Sequence, residues 1–290
     1  MEYIATIGTF DGLHVGHRTL FRELCRVGDT CGLASMAVTF DRHPLSVIAP
    51  RAVPPLLDDN DTRLRRLAES GLVDRVEVIT FDSAERAKTA LQFMQDLHGL
   101  GVRKLVMGHD NTFGSDRLRG IEAYAEVGRQ VGVEVIPLQP VVTVGDTAVS
   151  SSAIRAALAA GDIDTANAML GRPYTLTGPV AHGRGEGRGL GFATANIDVP
   201  AARCIPAPGV YACRALGHPA MVNIGVCPTF TDGRRMTVEA HLIGYDGDLY
   251  GQPLTLEFVR RLRDERRFAG PDEFRAQLSR DLAATLQLTS

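Results

Sequence analysis

Residues 8–17 read Gly8-Thr9-Phe10-Asp11-Gly12-Leu13-His14-Val15-Gly16-His17, three glycines and two histidines within ten positions. The apolar run from Tyr3 to Ile7 before it has the composition of a buried strand. The run from Arg18 to Val27 after it places Leu20, Phe21, Leu24 and Val27 on one helical face. The decapeptide is therefore a strand-to-helix turn. In an open α/β sheet such turns lie at the carboxyl ends of the strands, where ligands bind. Three chemistries are open to His14 and His17 at that point. An i, i+3 pair is compatible with a metal, although no third ligand stands nearby. Imidazoles also occur as incidental helix-start residues. Finally, free N–H groups at a helix N-terminus attract anions, and two imidazoles beside them suit a phosphoryl group under attack.

Working outward, apolar runs at 3–8, 33–39, 73–79, 102–107 and 133–138 alternate with helical patterns at 17–27, 60–70, 83–98 and 115–131. That alternation predicts an α/β domain with a doubly wound parallel sheet. Two more helices are expected at 151–160 and 162–170, the first headed by Ser150-Ser151-Ser152, natural caps. After Gly171-Arg172-Pro173 the texture changes to short β-like runs at 174–181, 209–216, 220–226, 236–243 and 253–259. These predict a small all-β barrel or sandwich, followed by an amphipathic helix from Pro271 to Leu286. Two domains result, 1–172 and 173–290.

Composition narrows the function classes. The 290 residues are 44% hydrophobic and 22% charged with a formal net charge of −3, an ordinary globular balance that offers no basic surface for nucleic acid. Of 31 basic residues only Lys88 and Lys104 are lysines, so a Walker A loop is excluded. The five cysteines are odd in number and lack a CxxC spacing, which speaks against a disulfide framework or a zinc site. No leader-like or membrane-spanning segment is apparent, and a cytoplasmic protein acting on small molecules is the expectation. A GxGxxG fingerprint is absent after the first strand, which disfavours an α/β flavin-dependent oxidoreductase.

Several segments, in order, carry a resemblance. FDGLHVGH (10–17) resembles the HxGH motif of nucleotidyltransferases in the form found in bacterial bifunctional FAD synthetases. TFDRHP (39–44), GHDNTFG (108–114) and VSSSAIR (149–155) are similar to later motifs of the same family. In the second half, FATAN (192–196), PGVY (208–211), NIGVCPTF (223–230), VEAHL (238–242) and DGDLYG (246–251) resemble its riboflavin kinase module.

The resemblance implies an N-terminal FMN adenylyltransferase and a C-terminal riboflavin kinase, with riboflavin, FMN, FAD and ATP as substrates and products and Mg²⁺ as cofactor. It makes His14, His17 and Arg155 candidate catalytic groups of the first reaction. Gly8, Phe10, Asp11, Gly16, Asp110, Asn111, Ser150, Ser151 and Ser152 are its candidate nucleotide or flavin contacts. Glu239 becomes the candidate base that deprotonates the ribityl hydroxyl. Thr194 and Asn196 become Mg-ATP ligands, and Gly183 and Arg188 belong to a glycine-rich loop suited to phosphates. Arg263 is a candidate flavin or phosphate contact. Glu239 and His241 alternate with Val238, Ala240 and Leu242, as on a strand with one wet face. Asn111 stands where the family has an aromatic residue, Ala193 replaces a proline, and Ser152 replaces a threonine. Two alternatives follow: a kinase whose first domain is inactive or turned to a flavin analogue or another nucleotide such as CTP, and a non-catalytic flavin-binding regulator.

Overall fold

The computed structural model describes residues 1–108, 111–138, 141–181, 194–226 and 236–289. By internal contacts the chain forms two compact units, Met1–Pro54 with Asp58–Val149, and Pro55–Leu57 with Ser150–Ser290.

The first unit runs β1 (Tyr3–Ile7), α1 (Val15–Cys31), β2 (Ala34–Phe40), α2 (Leu45–Ile48), α3 (Asn60–Glu69), β3 (Arg75–Ile79), α4 (Ser83–Ala87), α5 (Ala90–Gly99), β4 (Val102–Met107), α6 (Ile121–Val131) and β5 (Glu134–Pro137). A hairpin, β6 (Thr143–Val144) and β7 (Thr147–Ala148), closes it. The sheet order is β3-β2-β1-β4-β5, parallel throughout. Order therefore reverses between β1 and β4, the position where doubly wound sheets open a crevice. Both faces are covered. Tyr3, Ala5, Met36 and Val38 pack toward Phe93, Met94 and Tyr124, while Ile4, Ala37 and Val106 pack toward Phe21, Leu24 and Leu67. This two-sided burial explains why the strands read as continuous apolar runs.

Two expected helices are corrected. The pattern at 83–98 is two helices, because the Lys88 carbonyl accepts from Ser115 N–H and Thr89 opens a new helix with a capping box to Gln92. The pattern at 115–131 begins only at Ile121. Gly114, Arg117 and Gly120 all have positive φ, and the buried Tyr124 hydroxyl binds both the N–H and the carbonyl of Phe113, holding that stretch as a loop.

The second unit contains α7 (Ser151–Ala160), α8 (Ile163–Leu170), β8 (Tyr174–Ala181), β9 (Ala195–Ile197), β10 (Gly209–Ala215), β11 (His218–Val226), β12 (Met236–Leu242), β13 (Pro253–Arg263) and α9 (Pro271–Thr289). The strands close a barrel in the order β10-β11-β12-β9-β8-β13. Although the sequence changes texture near residue 172, the two helices before it hold to this unit. Asn167 donates to Phe258 O at 2.8 Å and accepts from Tyr174 N–H at 2.7 Å. The basic segment from Phe258 to Arg263, open to a helical reading, is strand, paired with β10. β9 went unnoticed in the sequence because three residues carry no periodicity.

The helices α1 and α6 end alike. Gly28 and Gly128 accept from the N–H of Leu33 and Val133, and a Cβ on Gly128 would lie 2.3 Å from Val133 O. Gly128→Ala is therefore expected to destabilise the first unit by about 1–3 kcal/mol, read as a lower urea midpoint by circular dichroism.

Candidate functional site

In the first unit the turn after β1 is tightly wound. Gly12 has φ 82°, and Phe10 and Leu13 adopt φ 49° and 40°, values that side chains adopt only when the surroundings enforce them. Phe10, Asp11, Leu13 and His14 are all buried. His14 caps α1, its Nδ1 accepting from His17 N–H at 3.3 Å. The two imidazoles stack with centroids 3.6 Å apart, and Phe10 sets its ring edge-on to His17. A Cβ on Gly16 would meet His14 Nδ1 at 3.1 Å and Val149 O at 3.5 Å, so glycine lets both the imidazole and the chain just before the serine run approach closely. Burial holds the His17 imidazole well below its ordinary value of 6.5, and the nearby His14 adds to the effect. Its Nδ1 is buried without a hydrogen-bond partner among the described residues.

A residue that motif reading missed supports this turn. Arg63, 4% exposed, donates to Thr9 O, Thr39 Oγ1 and Phe40 O at 2.9, 2.8 and 2.5 Å. It ties the ends of β1 and β2 together. The only sequence signal was an arginine on the inward side of α3.

At the ends of β2 and β3 lies a cavity of about 590 Å³ walled by Phe40, Phe81, Phe93 and Phe113 together with Glu85 and Lys88. Its aromatic walls and polar rim suit a flat heteroaromatic ligand. Asn111 lies in the loop after β4, at the sheet's switch point, and donates from Nδ2 to Ile7 O at 3.3 Å. Its amide thus braces the end of β1. Asp110, Gly183 and Arg188 lie outside the described residues.

In the second unit Ser150 caps α7, accepting from Ala153 N–H at 3.1 Å, and Ser151 and Ser152 form the first turn. Arg155 donates from Nε to Pro55 O at 2.7 Å. On the barrel, Asn196, Glu239 and Asn223 are direct neighbours across β9, β12 and β11. Directly opposed residues share a face. These three are partly exposed, while Val222, Ile224, Val238 and Ala240 between them are buried, as the alternation around Glu239 predicted.

The barrel carries two cavities, one of them lined by Asn223 of that row. One, about 310 Å³, is lined by Thr194, Leu242, Tyr245, Asp248 and Tyr250. The other, about 290 Å³, lies under α9 and is lined by Asn223, Met221, Glu265, Phe268 and Leu278. Arg263 borders the latter, but its Nε and Nη2 bind the buried Asp281 at 2.9 and 2.8 Å and its Nη1 binds Asp264 O. Its guanidinium anchors α9 to β13.

Comparison with known proteins follows the same division. The FAD synthetase family profile matches residues 1–153 and the riboflavin kinase profile residues 170–289. The bifunctional riboflavin kinase/FMN adenylyltransferase of Escherichia coli K12 is 38% identical over 286 residues, covering 96% of this chain and 90% of that protein. The chain belongs to the bifunctional riboflavin kinase/FMN adenylyltransferase family. Its counterpart in Bacillus subtilis is 30% identical over 96% of this chain and 90% of that one. A crystal structure described as a macrolide-efflux protein from Streptococcus pneumoniae superimposes with a TM-score of 0.82 at 28% identity, covering 98% of this chain and 93% of that one. Among the described residues of this family member no helix is long and apolar enough to cross a membrane.

The lowered His17 value carries a stability consequence. The unfolded chain takes up a proton at the ordinary 6.5 and the folded chain only well below it. Between those values the unfolded state binds more protons, so stability falls as pH drops below 6.5. His17→Gln is expected to flatten the decline in melting temperature between about pH 7 and about pH 5, measured by circular dichroism.

Proposed function

We infer that this enzyme makes FMN from riboflavin and ATP on the barrel, and FAD from FMN and ATP on the parallel-sheet unit. One observation supports the reading: each unit has its own cluster of polar groups with the chemistry to handle phosphate. On one it is the histidine-capped start of α1, and on the other the Asn196–Glu239–Asn223 row.

In the kinase, riboflavin occupies the cavity under α9, its ring against Met221, Phe268 and Leu278, with the ribityl chain reaching past Asn223 to Glu239. Glu239 accepts the proton of the 5′-hydroxyl as that oxygen attacks the γ-phosphorus, and ADP leaves. ATP lies on the Thr194 side of the row, in the cavity bounded by Leu242 and Tyr250, with Gly183 and Arg188 assigned to its phosphates. Thr194 and Asn196 offer oxygen donors only, the set that Mg²⁺ takes together with water and phosphate. When bound, Mg²⁺ neutralises charge on the phosphates.

In the adenylyltransferase the FMN phosphate is already a nucleophile and no base is needed. FMN sits in the phenylalanine-walled cavity, and one phosphate oxygen attacks the α-phosphorus of ATP as pyrophosphate leaves. The α1 amides, His14 and His17 stabilise the charge that develops there. A neutral His17 holding its proton on Nε2 leaves only a lone pair at the buried Nδ1 and keeps a donor for phosphate. Gly8 and Gly16 let the phosphates approach the backbone, Phe10 and Asp11 hold the turn, Asn111 faces the nucleotide, and Asp110 is assigned to the same contact. Ser150, Ser151, Ser152 and Arg155 form a second anion site at the head of α7.

Chromatography of products separates the two reactions. His17→Ala is expected to lower FAD synthesis from FMN by at least about 100-fold while FMN formation from riboflavin continues. Glu239→Gln is expected to lower FMN formation by about 100-fold or more while supplied FMN is still converted to FAD. Loss of both products in either folded variant contradicts two separate sites. Accumulation of FMN without dinucleotide by the unaltered enzyme, or a cytidine dinucleotide formed in preference from CTP, contradicts the adenylyltransferase.

A further inference from the structure

The cavity of the first unit contains a carboxylate that the two reactions leave unexplained. The Glu85 side chain is only 9% exposed, although α4 is otherwise a surface element. Its Oε2 binds Lys88 Nζ at 2.6 Å, and Lys88 is held in turn by Asp96 at 2.6 Å. Its Oε1 is buried with no hydrogen-bond partner among the described residues. A buried acceptor without a donor costs free energy that a bound ligand can restore. Glu85 also lines the cavity walled by Phe40, Phe81, Phe93 and Phe113.

A flat heteroaromatic ring between those rings satisfies Oε1 through an N–H at its edge. The isoalloxazine ring has one such group, the N3–H of its pyrimidine edge, flanked by two carbonyl oxygens. Those carbonyls are acceptors, and Lys88 beside Glu85 is a donor. The wall thus presents a negative acceptor next to a positive donor, complementary to an acceptor-donor-acceptor edge. We propose that Glu85 is a specificity-determining residue for the flavin of the adenylyl-transfer reaction, its Oε1 accepting the N3–H while Lys88 faces an adjacent carbonyl. The proposal rests on the placement of FMN in this cavity.

The test compares FMN with 3-methyl-FMN, which lacks only that donor, as substrates of the full-length enzyme. The unaltered enzyme is expected to show a flavin KM at least about tenfold higher for the methylated compound. Glu85→Leu is expected to raise the KM for FMN by about tenfold and to treat the two flavins alike, and Glu85→Gln, which keeps an acceptor oxygen, to retain part of the discrimination. Riboflavin kinase activity, which does not involve Glu85, is unchanged in each variant and reports a folded protein. Equal KM values for the two flavins in the unaltered enzyme overturn the proposal, as does undiminished discrimination in Glu85→Leu. Phe81→Ala separates this from failure of the placement. An unchanged KM for FMN in that variant removes FMN from the cavity and overturns both, whereas a raised KM with no effect at Glu85 overturns the carboxylate's part alone.

Discussion

The N-terminus of α1 presents the positive end of a helix dipole at the one place where the parallel sheet reverses its order. The features of the first unit organise around keeping that end accessible and correctly aimed. Gly12 turns the chain, Gly16 allows His14 to fold back over the first turn, and Phe10 backs the His17 ring. A turn with two non-glycine residues at positive φ does not hold itself. It is held by the buried Arg63, whose guanidinium joins the Thr9 carbonyl to the end of β2, with Asp11, Asp41 and Asp58 offsetting the charge that burial disfavours.

The barrel solves a comparable problem by register. A strand alternates its faces, so a row of polar groups can cross several strands without disturbing the core between them. Asn196, Glu239 and Asn223 form such a row, and the buried neighbours of each are small or branched apolar residues. At one end the row meets a cavity beneath α9, which the Arg263–Asp281 ion pair fastens in place.

Much of this was legible in the sequence because the signals are local. The apolar run, the glycines and the histidines within fifteen residues determine a strand, a turn and a helix start, and the VEAHL alternation places Glu239 on a wet face. Less local features were hidden. Arg63 was hidden because its acceptors at Thr9, Thr39 and Phe40 lie 23–54 positions away in the chain. The partner of Arg263 was hidden as well, since nothing near it in sequence announces the buried Asp281. The phenylalanine-walled cavity draws on residues between Phe40 and Arg119, and only tertiary folding assembles them. The early end of the pattern at 83–98 was likewise decided by a distant strand of contacts, Ser115 with Lys88.

Labelled ATP tests the two-site account most directly. Riboflavin is supplied with either γ-³²P- or α-³²P-ATP and the dinucleotide is isolated and cleaved at its pyrophosphate bond. The account predicts γ-label in the FMN half, from the kinase step, and α-label in the AMP half, from the transfer at His14 and His17. A dinucleotide without α-label, or FMN labelled from γ-³²P-ATP with no dinucleotide formed, would contradict it.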